Sequence, residues 1–215
     1  LAYAIEIGNV KIRKSLTIEE IRRSTYKTSV RCPDMESAKE MEEAILKAKR
    51  EGDSVGGIVE CTAFNVPVGI GEPLFDSLDA DIAKMLFTIP AVKGVEFGVG
   101  FKAAELKGSE NNDAYLIRDA KVATLTNNAG GILGGISSGM PIVVRVAVKP
   151  TPSIAKEQQT VNLSEMEDAK IKVTGRHDPC VVPKAAPVAE SAVAIVLADH
   201  MIRSGFIPKV LKERK

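Results

Sequence analysis

The sequence predicts an α+β fold, a sandwich of sheet and helix layers, on three observations. Strand-like, β-branched segments interleave with long helices. No strand ends in a dinucleotide fingerprint, which counts against a doubly wound sheet. One helix, 184–203, carries Val188, Ala192, Ile195, Val196 and Ile202 around most of its circumference, as a helix buried in the middle of a fold does. The 215 residues are enough for one domain with a substantial core or two small ones.

Taken in order, 1–12 is strand-like, with Tyr3, Ile5 and Ile7 alternating against Ala4 and Glu6. Thr17 caps a short helix whose first turn is acidic. Asp34 is placed to cap the clearest amphipathic helix, with Met35, Ala38, Met41, Ile45 and Ala48 as its stripe and Gly52 beyond its end. Residues 55–66 form a strand. Pro73 opens a second helix with Leu74, Leu78, Ile82, Met85 and Leu86 as its buried stripe. Residues 92–100 read as a strand, 101–106 as a short helix and 108–121 as a polar loop. The strongly β-branched 142–148 is a strand, and 160–163 and 171–174 are short strand candidates. Gly205 ends the apolar helix, and the charged tail 209–215 is expected to fray.

Composition excludes several classes. Net charge is +1 and no basic block stands out, so nucleic-acid binding has no electrostatic footprint. The apolar stretch 188–198 is interrupted by Glu190 and is too short to span a bilayer. Cys32, Cys61 and Cys180 are odd in number and far apart, which fits a reducing compartment rather than a disulfide framework. His177 and His200 are the only histidines and lie in no His/Cys cluster, so no metal site is expected.

The chemistry concentrates in two stretches. Thr126–Gly139 holds five glycines but is neither a Walker loop nor a GxGxxG fingerprint. Taken alone it reads as a flexible loop. A strand follows it and exits through Lys149-Pro150-Thr151-Pro152-Ser153. There the prolines fix the backbone, and a cation stands beside two hydroxyls, as a phosphate grip requires. The second stretch is Gly175-Arg176-His177-Asp178-Pro179-Cys180, with Glu190-Ser191 downstream. Arg176 offers a bidentate clamp for a phosphate or carboxylate and would keep Asp178 ionised. Cys180 reads as a small buried filler and His200 as a hydrogen-bonded core histidine. Glu190, on an apolar helix, needs a partner such as an arginine or a ligand-side backbone amide.

These motifs, together with Asn128 to Gly139, Asp53-Ser54-Val55-Gly56-Gly57 and Val92-Lys93-Gly94-Val95-Glu96, resemble the chorismate synthases over nearly the whole chain. The resemblance implies helices sandwiched between antiparallel β-sheets, a single domain over 1–215, and a cytoplasmic homotetramer. It implies conversion of 5-enolpyruvylshikimate 3-phosphate to chorismate and phosphate. This is a trans-1,4-elimination that needs reduced FMN and is the last step of the shikimate pathway. Such an enzyme is a phosphate lyase whose flavin electrons come either from NADPH on the enzyme itself or from flavin reduced elsewhere. Carried onto this sequence, Gly134, Lys149, Pro150, Thr151, Pro152, Ser153 and Arg176 are expected at FMN. Asp178 is expected to help move a proton at the flavin N5. The family's Gly-Glu-Ser-His and Arg-Ser-Ser-Ala-Arg motifs do not occur, and Pro90-Ala91 stands where many members have Asn-Ala. The chain therefore resembles the C-terminal three-fifths and is expected to be inactive alone. Two readings stand beside the enzyme: a non-catalytic fragment keeping a flavin surface or an oligomer interface, and a generic phosphate-binding module.

Overall fold

The computed structural model describes residues 1–208, so the tail 209–215 lies outside the described residues. The chain is α+β, as the sequence predicts, with strands β1 (Ala2–Ile7), β2 (Val10–Lys11), β3 (Gly57–Ala63), β4 (Val92–Phe97) and β9 (Ile142–Val148) in one sheet ordered β2-β1-β3-β9-β4. Three antiparallel hairpins accompany it: β5–β6 (Tyr115–Arg118, Lys121–Thr124), β7–β8 (Ile132–Leu133, Ile136–Ser137) and β10–β11 (Gln158–Asn162, Glu167–Ile171). The helices are α1 (Ile18–Ser24), α2 (Met35–Arg50), α3 (Leu78–Phe87), the single turn α4 (Gly108–Asn111) and α5 (Val182–Arg203). The described residues fall into two compact units. The first holds 3–59 and 147–186; the second holds 1–2, 60–146 and 187–208.

In the first unit the expected single strand 1–12 is a hairpin. Gly8, at φ +60°, turns the chain, and Ile7 pairs with Val10. Thr17 caps α1 in a full capping box: its hydroxyl accepts from the Glu20 amide, and the Glu20 carboxylate accepts from the Thr17 amide. On α2, Ala38, Met41 and Ala48 are buried as expected, but Met35 is exposed, because Ser37 takes the inward place in the first turn. Asp34 holds the N-cap position without making the cap bond. Its buried carboxylate instead accepts from the Ser37 hydroxyl at 2.6 Å and faces Lys14 at 3.4 Å.

Burial raises the Asp34 pKa, but the bonds from Ser37 and Lys14 outweigh it, and the net shift is downward. A carboxyl depressed on folding contributes stability above its unfolded pKa and loses it as pH falls through the folded one. Urea midpoints should therefore drop as pH falls below about 4. Asp34→Asn should cost about 2 kcal/mol at neutral pH and flatten that acid limb; an unchanged limb would remove Asp34 from the account.

In the second unit, β9 alternates cleanly. Ile142, Val144, Val146 and Val148 are buried, the last of them in the first unit, and Arg145 lies on the opposite face. Arg145 donates through Nε to Glu96 at 2.6 Å, also donates to the Gly98 carbonyl, and lies 3.6 Å from Glu60. The other Glu96 oxygen accepts from the Phe101 amide. One half-buried cation thus fixes the end of β4 and the 3₁₀ turn Gly100–Glu105. Arg145→Met should lower unfolding free energy by about 2 kcal/mol by leaving the two glutamates without their shared cation. Adding Glu96→Gln should recover part of that loss in a denaturation cycle.

Other expectations change. Leu74 is exposed in a 3₁₀ turn, and helix α3 starts only at Leu78, where Leu78, Ile82 and Leu86 form the buried stripe. The stretch 108–121 is not all loop. It contains α4 and β5, and Asp119 and Ala120, both at positive φ, make the two-residue turn into β6. Helix α5 is not buried all round: Val182, Ala186, Ala189, Val193 and His200 are buried, whereas Val188, Ile195 and Ile202 are exposed along a single line seven residues apart. By length and composition its 22 residues suffice to cross a membrane, in contrast to the shorter stretch read from the sequence. One face of it, with Val182, Ala186, Ala189, Val193 and His200, is buried within the protein.

Candidate functional site

The glycine-rich segment folds into packed structure rather than a flexible loop. A Cβ on Gly130 would meet the Gly98 nitrogen at 2.3 Å, one on Gly131 the Pro141 carbonyl at 2.4 Å, and one on Gly135 the Ser77 side chain at 2.5 Å. These glycines serve close approach of the chain to itself. Gly134 differs. It sits at φ +58° in the β7–β8 turn with open space where a side chain would be. Ser137 anchors this hairpin by accepting from the Ile70 amide and donating to the Pro67 carbonyl. Gly134 belongs to the second unit, and all other expected site residues belong to the first.

In the first unit, the end of α2, the β9 exit and the stretch before α5 converge on a groove of about 230 Å³. Its walls are Lys49 and Gly52–Ser54, Ser153–Ala155, and Gly175–Pro179. Ser153, Arg176 and Asp178 therefore share one groove, with His177 beside them. Lys149, Pro150 and Pro152 are exposed on the segment that leads into it, and Thr151 is half-buried.

The electrostatics leave positive charge available. Neither Lys149 nor Arg176 forms an ion pair with a described residue, whereas Asp53 is engaged by Lys156 at 2.6 Å. Asp178 is paired mainly with Lys184, in the first turn of α5, and not with Arg176 as the sequence suggested. The Lys184 hydrogen bond and charge hold the Asp178 carboxyl below its ordinary range, with Arg176 adding less. Lys184 was missed because it lies six residues from Asp178, across the start of a helix whose exact first turn decides the contact. The Asp53 carboxyl is likewise held low by Lys156 and by the Ser54 amide.

The remaining candidates are structural. His200 is buried, with Nε2 2.9 Å from Asp81, so it is the hydrogen-bonded core histidine expected. Glu190 accepts from the backbone amide of Ala2 at 2.9 Å, which supplies the partner its position required. Burial pushes the thiols of Cys32 and Cys180 up to about 11 and that of Cys61 up to about 12, so none is poised as a nucleophile.

A phosphate-bearing flavin can be tested against these residues. The Thr151 hydroxyl is buried and has no hydrogen-bond partner, an uncompensated polar group beside an unpaired lysine. Ser153 and Arg176, which line the groove, are donors suited to a phosphate dianion, and Lys149 and Thr151 stand on the segment that leads to Ser153. The residues fit the group.

A family model described as chorismate synthase matches residues 1–202. A chorismate synthase of Methanosarcina mazei is 57% identical over 98% of this chain and 58% of its own length. One from Methanobrevibacter smithii is 56% identical over 96% and 57%. One from Dehalococcoides mccartyi is 50% identical over 99% and 58%. A crystal structure of a chorismate synthase superposes with a TM-score of 0.77 at 32% identity, covering 94% of this chain and 56% of that one. The chain thus spans somewhat more than half the length of the relatives it matches.

Proposed function

From the premise that the chain belongs to the chorismate synthase family, we propose that it carries the flavin-phosphate grip and the proton-handling aspartate of that enzyme. The enzyme converts 5-enolpyruvylshikimate 3-phosphate to chorismate and phosphate. The observation that carries this reading is the convergence of Ser153, Arg176 and Asp178 on one groove, with Lys149 and the unsatisfied Thr151 hydroxyl on the segment that leads to Ser153.

Lys149, Thr151, Ser153 and Arg176 would hold FMN. Pro150 and Pro152 fix the backbone between them, so little entropy is lost on binding. Gly134 would lie against the cofactor by its backbone. Reduced flavin, when bound, supplies electron density to the reacting carbons as phosphate leaves. The chain's own part is orientation and charge. Asp178, held as a carboxylate by Lys184, would help move a proton at the flavin N5. The cations Lys149 and Arg176 stabilise negative charge near the flavin without reorganising. The protein would act as a cytoplasmic homotetramer.

Lys149→Ala tests the grip directly. Its affinity for reduced FMN should fall by about 1.5–3 kcal/mol, the range for a hydrogen bond to a charged group. Unchanged affinity in an anaerobic titration would refute Lys149 as a phosphate ligand.

A further inference from the structure

The groove is assembled from stretches about a hundred residues apart in sequence, and one short segment touches both of them. The Ser54 hydroxyl donates to the Thr151 carbonyl at 2.6 Å. One residue on, the Val55 amide donates to the Pro179 carbonyl at 2.8 Å. Just before, the Gly52 carbonyl accepts from the Ala155 amide at 2.9 Å, and Asp53 pairs with Lys156. Gly52, at φ +67°, has room for no more than the Ala155 methyl, which would lie 3.3 Å from an added Cβ. Four consecutive residues thus bond to both sides of the groove: Ser54 to Thr151 within the phosphate-grip segment, Gly52 and Asp53 to Ala155 and Lys156 just after it, and Val55 to Pro179, next to Asp178.

Among these ties the Ser54 bond stands apart. Those of Gly52 and Val55 are backbone to backbone and that of Asp53 reaches past the grip to Lys156, whereas Ser54 reaches with its side chain to Thr151, within the grip. The bonded carbonyl belongs to the residue whose own hydroxyl is buried without a partner. Fixing that peptide therefore fixes where an unspent donor points.

We propose that Ser54 is a positioning residue: it holds the Thr151 peptide so that the Lys149–Ser153 donors meet the flavin phosphate in register with Arg176. The inference rests on the flavin reading above and goes beyond it, since Ser54 acts only through Thr151.

The test compares wild type, Ser54→Ala and Ser54→Thr, the last of which keeps the hydroxyl. Hydrogen exchange followed by mass spectrometry reads the tie without any flavin. The Ser54→Ala peptide spanning 149–157 should exchange about tenfold faster, while peptides from α3 stay unchanged. Anaerobic titration with reduced FMN should show about tenfold weaker binding for Ser54→Ala and wild-type binding for Ser54→Thr. Faster exchange throughout the chain, or no rescue by threonine, would make Ser54 a general stability residue and overturn the proposal. Unchanged exchange over 149–157 would overturn it as well, and so would local loosening with unaltered FMN affinity. If the wild-type chain binds no reduced FMN, the flavin reading fails, and the positioning of its phosphate grip fails with it. The exchange experiment would still show separately whether Ser54 holds the segment.

Discussion

Replacing Asp178 by alanine is expected to lower turnover of the complete protein, with the rest of the family's length supplied, about a hundredfold or more while leaving affinity for reduced FMN within about threefold of wild type. The carboxylate is half-exposed in the groove, is held ionised by Lys184, and stands beside Arg176. A carboxylate in that state is ionised, and so free to take a proton, and as an anion it contributes little to gripping a phosphate. The two effects therefore separate: a proton-transfer role shows in kcat, whereas a binding role shows equally in affinity. Steady-state kinetics alongside flavin titration distinguishes them, and parallel losses in both would remove Asp178 from the proton path. Because the Lys184 bond is the largest cause of its low pKa, Lys184→Met should let the Asp178 pKa rise, moving the acid limb of the rate profile to higher pH.

The second large effect is expected at Gly56. An alanine Cβ there would lie 2.4 Å from the Val148 carbonyl oxygen and 3.0 Å from both the ring and the nitrogen of Pro150. No flexible side chain stands in the way to yield; the obstacle is the backbone of the β9 exit and a proline ring. The strand end must shift, and the phosphate-grip segment with it. Gly56→Ala should cost about 3 kcal/mol of unfolding free energy, at the upper end for overpacking. It should also weaken flavin binding beyond what Lys149→Ala alone produces. A urea midpoint equal to wild type would show that β9 can move freely, contrary to the close packing described.

Much of the architecture was legible in the sequence where one signal dominated. The run Ile142–Val148 gave its strand to the residue, because a buried β-branched alternation has no competing reading. Thr17 and the acidic turn after it gave the start of α1, which the structure closes as a capping box. Legibility failed where local residues serve a distant partner. Asp34 is a good cap by type, yet Ser37 and Lys14 claim its carboxylate. Met35 continues an apolar stripe but faces outward, and the β5–β6 hairpin hides in a polar stretch because its signal is the backbone of Asp119 and Ala120, residues with no glycine to announce a turn.

The candidate site divides the same way. Lys149, Arg176 and Asp178 were recognisable by charge and by the rigid residues around them. The five glycines of 126–139 look alike in sequence. Only the structure separates Gly134, with open space beside it, from Gly130, Gly131 and Gly135, which the backbone packing requires. Ser54 stood out only as part of the Asp53–Gly57 motif and Lys184 not at all, since their partners are set by a contact 97 residues away and by the first turn of α5.

The most direct test of the central claim compares anaerobic titrations of the chain with reduced FMN and with reduced riboflavin, which lacks the phosphate. If Lys149, Thr151, Ser153 and Arg176 grip that phosphate, FMN should bind at least about tenfold more tightly. The difference should vanish when Lys149 and Arg176 are both replaced by alanine. Equal affinity for the two flavins, or a preference that survives the double substitution, would contradict the account.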